Sequence, residues 1–179
     1  MKRTGPVITA ICLFTVLFTG CASTPESARG ELERRADELD DATQDILQAL
    51  ESAGTQAASA AGHINYCGGS MLPGMAYTTS AHATVSGDLS EAMRAVIDEL
   101  TTLGWNHVGE IGTDDLSARF TRDDITIDVK AGGATIGGKR YGEDEIEAGT
   151  TQPDNCVRVP DGTYADEFAD LEKEILPRE

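Results

Sequence analysis

The sequence predicts an α+β fold, a two-layer sandwich in which a mainly antiparallel sheet carries helices packed on one face. Two observations support this prediction. In two long segments, apolar residues recur every three to four positions, which is typical of amphipathic helices. Other, shorter runs alternate apolar and polar residues and are separated by glycine and aspartate turns, which is typical of antiparallel strands.

The first amphipathic segment follows Thr24 and Pro25, which suit the N-cap and the first helical position, and Gly54 marks its end. Acidic residues crowd one side. Apolar or small residues occupy the other side, at spacings of four and three: Leu32, Ala36, Leu39, Thr43, Ile46, Leu50, Ala53 and Ala57. Because alanine and threonine would make a weak coiled-coil seam, we expect this helix to pack on the protein's own sheet.

A strand and a second helix follow. From residue 77 to 85 the odd positions are mostly apolar and the even ones polar, which predicts a strand with one buried side. The preceding "GGSMLPG" has the composition of a loop. The second helix has Asp88 or Ser86 as its N-cap and ends at Gly104. Its apolar stripe comprises Leu89, Met93, Val96, Ile97, Leu100 and Leu103.

An antiparallel hairpin is predicted next, with strands over 116–121 and 125–129 joined by a turn at 122–124. A strand that begins at Trp105 should pair beside it after the "GTDD" turn. The glycine-rich region that follows predicts a short strand at Thr135-Ile136 and then an acidic, exposed loop.

The C-terminal region predicts a last short strand over 156–159 and a C-terminal helix broken by Pro177. We therefore divide the chain into an N-terminal signal segment (1–20), a tether (21–29), a single α+β domain (30–165) and a C-terminal helix or tail (166–179).

The N-terminal segment has the three-part order of a secretory signal. Lys2 and Arg3 precede a mostly apolar run over 7–18, and small residues follow. A permanent transmembrane helix is the alternative, but the uncharged run over 4–20 contains Gly5 and Pro6 and falls short of about 20 strongly apolar residues.

The residues Phe18-Thr19-Gly20-Cys21 resemble the lipobox of bacterial lipoproteins, with phenylalanine where leucine is usual. The resemblance implies cleavage between Gly20 and Cys21 and a diacylglyceryl group on the Cys21 thiol. Two acyl chains suffice for stable anchoring. The implied location is the outer face of the cell membrane, and the alternative is a secreted protein with an incidental cysteine.

Four cysteines are present, of which Cys12 lies in the signal segment and Cys21 in the lipobox. The remaining two, Cys67 and Cys156, would be exported to a compartment in which thiols oxidise. We therefore predict a disulfide between them. A catalytic Cys67 assisted by His63 is the alternative, although no motif connects these two residues.

The run from the second helix through "LGW" and the hairpin to a late cysteine is similar to small cell-envelope lipoproteins of actinobacteria. This resemblance covers about residues 30–160 and depends on a pattern rather than on a sharp motif. It implies a location and a fold, and it supplies no catalytic residue.

The charge and composition narrow the range of partners. The formal net charge is −17, and the basic residues are few and dispersed among acids. A nucleic acid or an anionic headgroup surface requires clustered cations, so neither is expected as a partner of the domain. The membrane partner is expected only through the lipid on Cys21, and no cofactor is expected. The sequence does not identify a protein or small-molecule partner.

The sequence gives little support for any catalytic or metal-binding residue. Ser70 lies in a turn without a "GxSxG" motif, and the three histidines lack zinc spacing. The pairs Asp114-Asp115 and Asp123-Asp124 suit turns better than a calcium loop. Two further groups of candidates are the four acids in "GEDEIEAG", which could serve a glycosidase, and four apolar residues that could border a pocket, although they suit a loop, a rim or the core better. These are Glu143, Asp144, Glu145, Glu147, Met71, Leu72, Met75 and Tyr77.

No residue is therefore predicted as catalytic or as a metal ligand. The sequence favours a non-catalytic, lipid-anchored envelope protein that binds a partner or ligand. The alternative is an envelope hydrolase whose site the linear pattern does not reveal, and a cleft between the sheet and the loops around Met71 and Gly142 would help to separate the two.

Overall fold

A computed structural model describes residues 24–69, 73–112 and 116–177. The helices and strands are, in chain order, α1 (Pro25–Ser52), β1 (Gln56–Cys67), β2 (Gly74–Thr84), α2 (Leu89–Thr102), β3 (Asn106–Gly112), β4 (Ser117–Arg122), β5 (Ile125–Ala131), β6 (Ala134–Ile136), β7 (Lys139–Tyr141), β8 (Glu145–Thr151), β9 (Val157–Arg158), a 3₁₀ helix (Ala165–Leu171) and β10 (Lys173–Ile175).

The main sheet is antiparallel throughout. Seven of its strands follow the order β10-β1-β2-β8-β5-β4-β3, and β9 pairs with the start of β2. The short strands β6 and β7 form a separate ribbon. Both α1 and α2 pack on one face of the main sheet. The predicted α+β, two-layer architecture with helices on one face is confirmed.

The first helix begins and ends where the sequence signals predicted. Thr24 is the N-cap, and its hydroxyl accepts a hydrogen bond from the Ser27 N–H at 3.2 Å in a capping box. After the helix, Gly54 adopts φ +69°, a conformation that favours glycine. Since α1 starts at Pro25, residues 25–29 are helical, whereas the sequence placed them in a tether.

The second helix is capped as predicted by Asp88, whose Oδ1 accepts from the Glu91 N–H at 2.8 Å. Gly104, at φ +90°, follows its end. The predicted apolar stripe faces the core, with Met93, Val96 and Leu100 at most 1% exposed. The chain then enters β3, which pairs with β4 as expected.

Polar side chains connect α1 to the sheet within the core. The Thr43 hydroxyl donates to the Leu39 carbonyl at 2.7 Å, so its proton is committed there. Thr79 therefore donates to Thr43, at 2.5 Å, and Thr150 donates to Thr79, at 2.6 Å. All three threonines are buried, and this chain of hydroxyls gives each a partner that compensates for the loss of water.

A second polar connection lies at Asp45 on α1. Its Oδ2 accepts from the Trp105 indole N–H at 3.1 Å and from Arg122 at 2.8 Å. The Arg122 guanidinium also lies over the Trp105 ring, 4.2 Å from the ring centre. The single tryptophan is thereby fixed between the first helix and the sheet.

Two predictions about the second half of the chain are wrong. The acidic segment predicted as an exposed loop contains β8, a central strand that pairs with both β2 and β5. The predicted C-terminal helix is a short 3₁₀ helix followed by β10, which pairs with β1 through Ala60 and Ile175. The C-terminal segment is therefore part of the sheet and of the domain.

The predicted disulfide is present between Cys67, at the end of β1, and Cys156, just before β9. The Cα atoms are 5.6 Å apart, and 89 positions separate the two residues in sequence. This bridge therefore excludes the alternative in which Cys67 is a free catalytic thiol. Among the residues described, no helix combines the length and the apolar character that a membrane crossing requires.

Candidate functional site

The face of the sheet opposite α1 and α2 is lined by polar residues. In β2, β8 and β5, alternate side chains point away from the helices, and many of these are exposed or half-buried. We call the outward residues of these three central strands the polar face. It comprises Ser80, His82, Asp128, Lys130, Glu147 and Gly149.

One row of the polar face places Glu147 between His82 and Lys130. His82 on β2 is opposite Glu147 on β8, and Glu147 is opposite Lys130 on β5. The opposed charges of Glu147 and Lys130 contribute about 0.2–1 kcal/mol. This row presents both a carboxylate and a cationic group to a ligand.

The neighbouring row is low because its side chains are small. Ser80 is opposite Gly149, and Gly149 is opposite Asp128. Glycine adds no side chain, and serine adds a short one, so the two rows enclose an open depression of about 600 Å³. Arg119 on β4 binds Asp128, with its Nε 2.7 Å from Oδ1, at one end of the depression.

Two serine–histidine pairs lie on the same face of the sheet. Ser59 Oγ is 3.0 Å from His82 Nε2, and Ser80 Oγ is 3.5 Å from His63 Nε2. A hydroxyl beside an imidazole is the first requirement for a nucleophile with a general base. Because Glu147 is opposite His82, a carboxylate, an imidazole and a hydroxyl follow one another across three strands.

Two groups with shifted pKa values, Glu31 and Tyr77, lie on the helical side of the sheet. Hydrogen bonds from Arg34 and Arg35 lower the pKa of Glu31 on α1 to about 2. Burial raises the pKa of the Tyr77 hydroxyl, as does its hydrogen bond to Asp40. These groups hold α1 and its surroundings together rather than lining the depression.

The structure separates the residues that the sequence grouped as candidates. Met75 and Tyr77 are fully buried in the core. Asp123 is in the hairpin turn at φ +53°. Of the four acids in "GEDEIEAG", Glu145 and Glu147 lie on β8 and border the depression. Other predicted residues lie outside the described part of the chain: Gly20, Cys21, Ser70, Met71, Leu72, Asp114 and Asp115.

Sequence reasoning missed Ser80, His82, Asp128, Lys130 and Gly149. Only the alternation of polar residues at 78, 80, 82 and 84 signalled that one side of β2 is uncovered. Within the described ranges, no three His, Cys, Asp or Glu residues are grouped so that they could hold a metal ion.

Comparisons with protein-family models, with curated proteins and with solved structures gave no match for this chain.

Proposed function

We propose that the protein is exported, acylated at Cys21 and held at the outer face of the cell membrane, where its polar face binds a partner or a small ligand. The lipobox-like sequence Phe18-Thr19-Gly20-Cys21 supports the acylation. Thr24, the N-cap of α1, lies three positions after Cys21, so an acyl group on Cys21 would stand directly before the folded domain.

The observation that carries the binding role is the polar face, on which Ser80, His82, Lys130 and Glu147 are exposed. When helices cover one face of a sheet, the other face must be soluble in water. Charged side chains alone would be enough for this. Here that face also contains a depression of about 600 Å³, within the range of small-ligand sites, with Ser80 and Gly149 on its floor. A concave surface with cationic, anionic and hydroxyl groups is suited to a polar ligand.

The anchor is tested by replacing its thiol. Cys21→Ala should release the protein from the membrane fraction and abolish acyl labelling, since no thioether can form. Cys12→Ala removes a cysteine from the same segment and should leave both unchanged. Continued membrane retention of the Cys21→Ala variant would refute the anchor.

The binding face is tested by filling the depression. Ser80→Arg places a long side chain on its floor, and Ser86→Arg makes the same chemical change in the loop before α2. Envelope components that cross-link to the wild-type protein should be lost with Ser80→Arg and retained with Ser86→Arg. Equal capture by the two variants would place the binding surface elsewhere.

Hydrolysis is the second candidate, and the 3.0 Å contact between Ser59 and His82 is the observation that favours it. If this pair catalyses hydrolysis, turnover of ester or peptidoglycan substrates should be lost in both Ser59→Ala and His82→Ala. Reproducible turnover that disappears in both variants would establish an enzyme, and turnover that survives in either would exclude this pair.

A further inference from the structure

Two tyrosines protrude from one end of the domain. Tyr66, next to the end of β1, and Tyr164, directly before the 3₁₀ helix, are each 63% exposed. The backbone N–H of Ala165 donates to the Tyr66 hydroxyl at 3.0 Å, so the two residues lie close together. We call the surface formed by Tyr66, Tyr164 and the 3₁₀ helix the tyrosine end.

Contacts of Arg29 place the tyrosine end beside the start of α1. The Arg29 guanidinium donates to the Glu167 carbonyl at 2.7 Å and to Asp170 at 2.8 Å. It also lies 5.5 Å from the centre of the Phe168 ring. Glu167, Phe168 and Asp170 all belong to the 3₁₀ helix, which is therefore packed against the second turn of α1.

The path of the chain independently places Tyr66 beside the start of α1. The 28 residues of α1 extend for about 42 Å, and the 12 residues of β1 extend for about 40 Å. Only residues 53–55 connect them, and β1 packs along α1 on its return. Tyr66, at the far end of β1, therefore comes back to the level at which α1 begins.

The anchor limits the distance of this end from the membrane. Three Cα-to-Cα steps separate Cys21 from the N-cap Thr24, which is a reach of at most about 11 Å. A lipid on Cys21 thus keeps the start of α1, and the tyrosines beside it, near the headgroups. Tyrosine suits this region, because its ring is apolar and its hydroxyl is polar.

We infer that the tyrosine end lies against the bilayer, with Tyr66 and Tyr164 in contact with the lipid surface, and that the domain is thereby held in one orientation. This inference depends on the proposed acylation of Cys21. The acidic residues Asp161, Asp166 and Glu167 all lie within three positions of Tyr164 in the sequence. The contact should therefore be stronger on zwitterionic than on anionic lipid.

Tryptophan fluorescence on brominated vesicles tests the orientation. Tyr66→Trp and Tyr164→Trp are prepared in the full acylated protein, reconstituted in phosphatidylcholine with or without brominated acyl chains. The control is Val108→Trp, since Val108 is 46% exposed on the edge strand β3, five strand spacings or about 24 Å across the sheet. Trp105 is buried and contributes the same background to every variant.

The expected result is loss of fluorescence at positions 66 and 164 in brominated vesicles and none at 108, with a smaller loss when phosphatidylglycerol is added. Equal quenching at all three positions, or no quenching at 66 and 164, would overturn the inference. Two tyrosine positions are used so that a folding defect in one variant, detected by circular dichroism, leaves the other informative.

A separate measurement distinguishes this failure from failure of the anchor. Mass spectrometry of the N-terminal peptide reports whether Cys21 carries the diacylglyceryl group. An acylated, vesicle-bound protein without quenching at 66 and 164 would refute the orientation alone. A protein that carries no acyl group would refute the anchor and, with it, the basis of the orientation.

Discussion

Gly62 on β1 leaves the space that the ring of Tyr77, on the neighbouring strand β2, occupies. A Cβ atom at Gly62 would stand 1.6 Å from the Tyr77 hydroxyl oxygen, so the tyrosine ring occupies the space that any other residue would fill. The Tyr77 hydroxyl donates to Asp40 on α1 at 2.7 Å. Burial raises the pKa of this hydroxyl, which keeps its proton available for the hydrogen bond.

We predict that Gly62→Ala destabilises the fold by about 2–4 kcal/mol, because the new methyl group overpacks the core and moves Tyr77 away from Asp40. Urea denaturation of the purified domain measures this change. Gly30→Ala is the control: Gly30 is exposed within α1 with nothing near its Cβ position, so the substitution should stabilise the protein by about 0.5–1 kcal/mol. Equal stabilities for the two variants would contradict the packing of Tyr77 over Gly62.

Among the elements, α1 carries a group of ion pairs on its outer side. Glu31 accepts from Arg34 at 2.6 Å and from Arg35 at 2.7 Å, and Arg35 also donates to the Asp154 carbonyl near the disulfide. These hydrogen bonds lower the pKa of Glu31 from 4.5 to about 2. The carboxylate thus connects the helix, through Arg35, to the last part of the sheet.

The lowered pKa of Glu31 predicts that this residue stabilises the folded protein at neutral pH and that acid removes the effect. A carboxyl group whose pKa is depressed on folding stabilises the protein above its unfolded pKa and loses this effect as the pH falls. Here the loss occurs between pH 4.5 and about 2. Since Glu31 is 36% exposed, solvent screening limits the effect of Glu31→Gln at pH 7 to less than about 1 kcal/mol.

Denaturation of Glu31→Gln and wild type at pH 7, 4 and 2.5 checks this prediction. The difference between the two proteins should shrink as the pH falls. Glu51→Gln, which removes another α1 carboxylate remote from these arginines, is the control and should lose stability with acid as the wild type does. A constant difference for Glu31→Gln across this range would contradict the role of Glu31.

Element prediction succeeded where a cap or a strong apolar stripe marks the sequence, as at Thr24, Asp88 and the 116–129 hairpin. It failed at β8 because the inward residues of that strand, Ile146, Ala148 and Thr150, give a weak apolar signal. The buried Thr150 has Thr79 as its hydrogen-bond partner, and that partner lies 71 positions away. Alternation with a polar residue on the buried side is hard to distinguish from a loop.

The C-terminal segment shows the same limit. Its apolar residues Phe168 and Ile175 are each buried by a different partner, the first beside α1 and the second on β1. Their spacing of seven suited a helix, but tertiary pairing gave a 3₁₀ helix and an edge strand. The polar face could not be predicted from the sequence either, since Ser80, Gly149 and Asp128 become neighbours only through strand register.

At the scale of the whole molecule, ligand binding and membrane contact would use different surfaces. The tyrosine end is beside the start of α1, whereas the polar face belongs to the central strands on the side away from the helices. A domain held by its tyrosine end would have its strands inclined to the membrane and its polar face directed sideways. Binding on that face and contact with lipid would then not compete.

The disulfide joins the end of β1 to the segment before β9. Cys67 ends β1, Cys156 precedes β9, and a Cβ atom at Gly74 would lie 2.5 Å from the Cys156 sulfur, so the bridge also fills the space beside β2. In the chain-entropy model, closing a loop of 89 residues stabilises the fold by about 4–5 kcal/mol, and removing a native bridge typically costs about 2–5 kcal/mol.

We therefore predict that the Cys67→Ser/Cys156→Ser double variant loses about 2–5 kcal/mol in urea denaturation. The reduced wild-type protein should lose a similar amount, since both lack the same crosslink, and the oxidised wild type should show no free thiol from this pair when denatured. Stability of the double variant within about 0.5 kcal/mol of the oxidised wild type would mean that packing of Val157 and Val159 against α1, rather than the crosslink, holds this end of the domain.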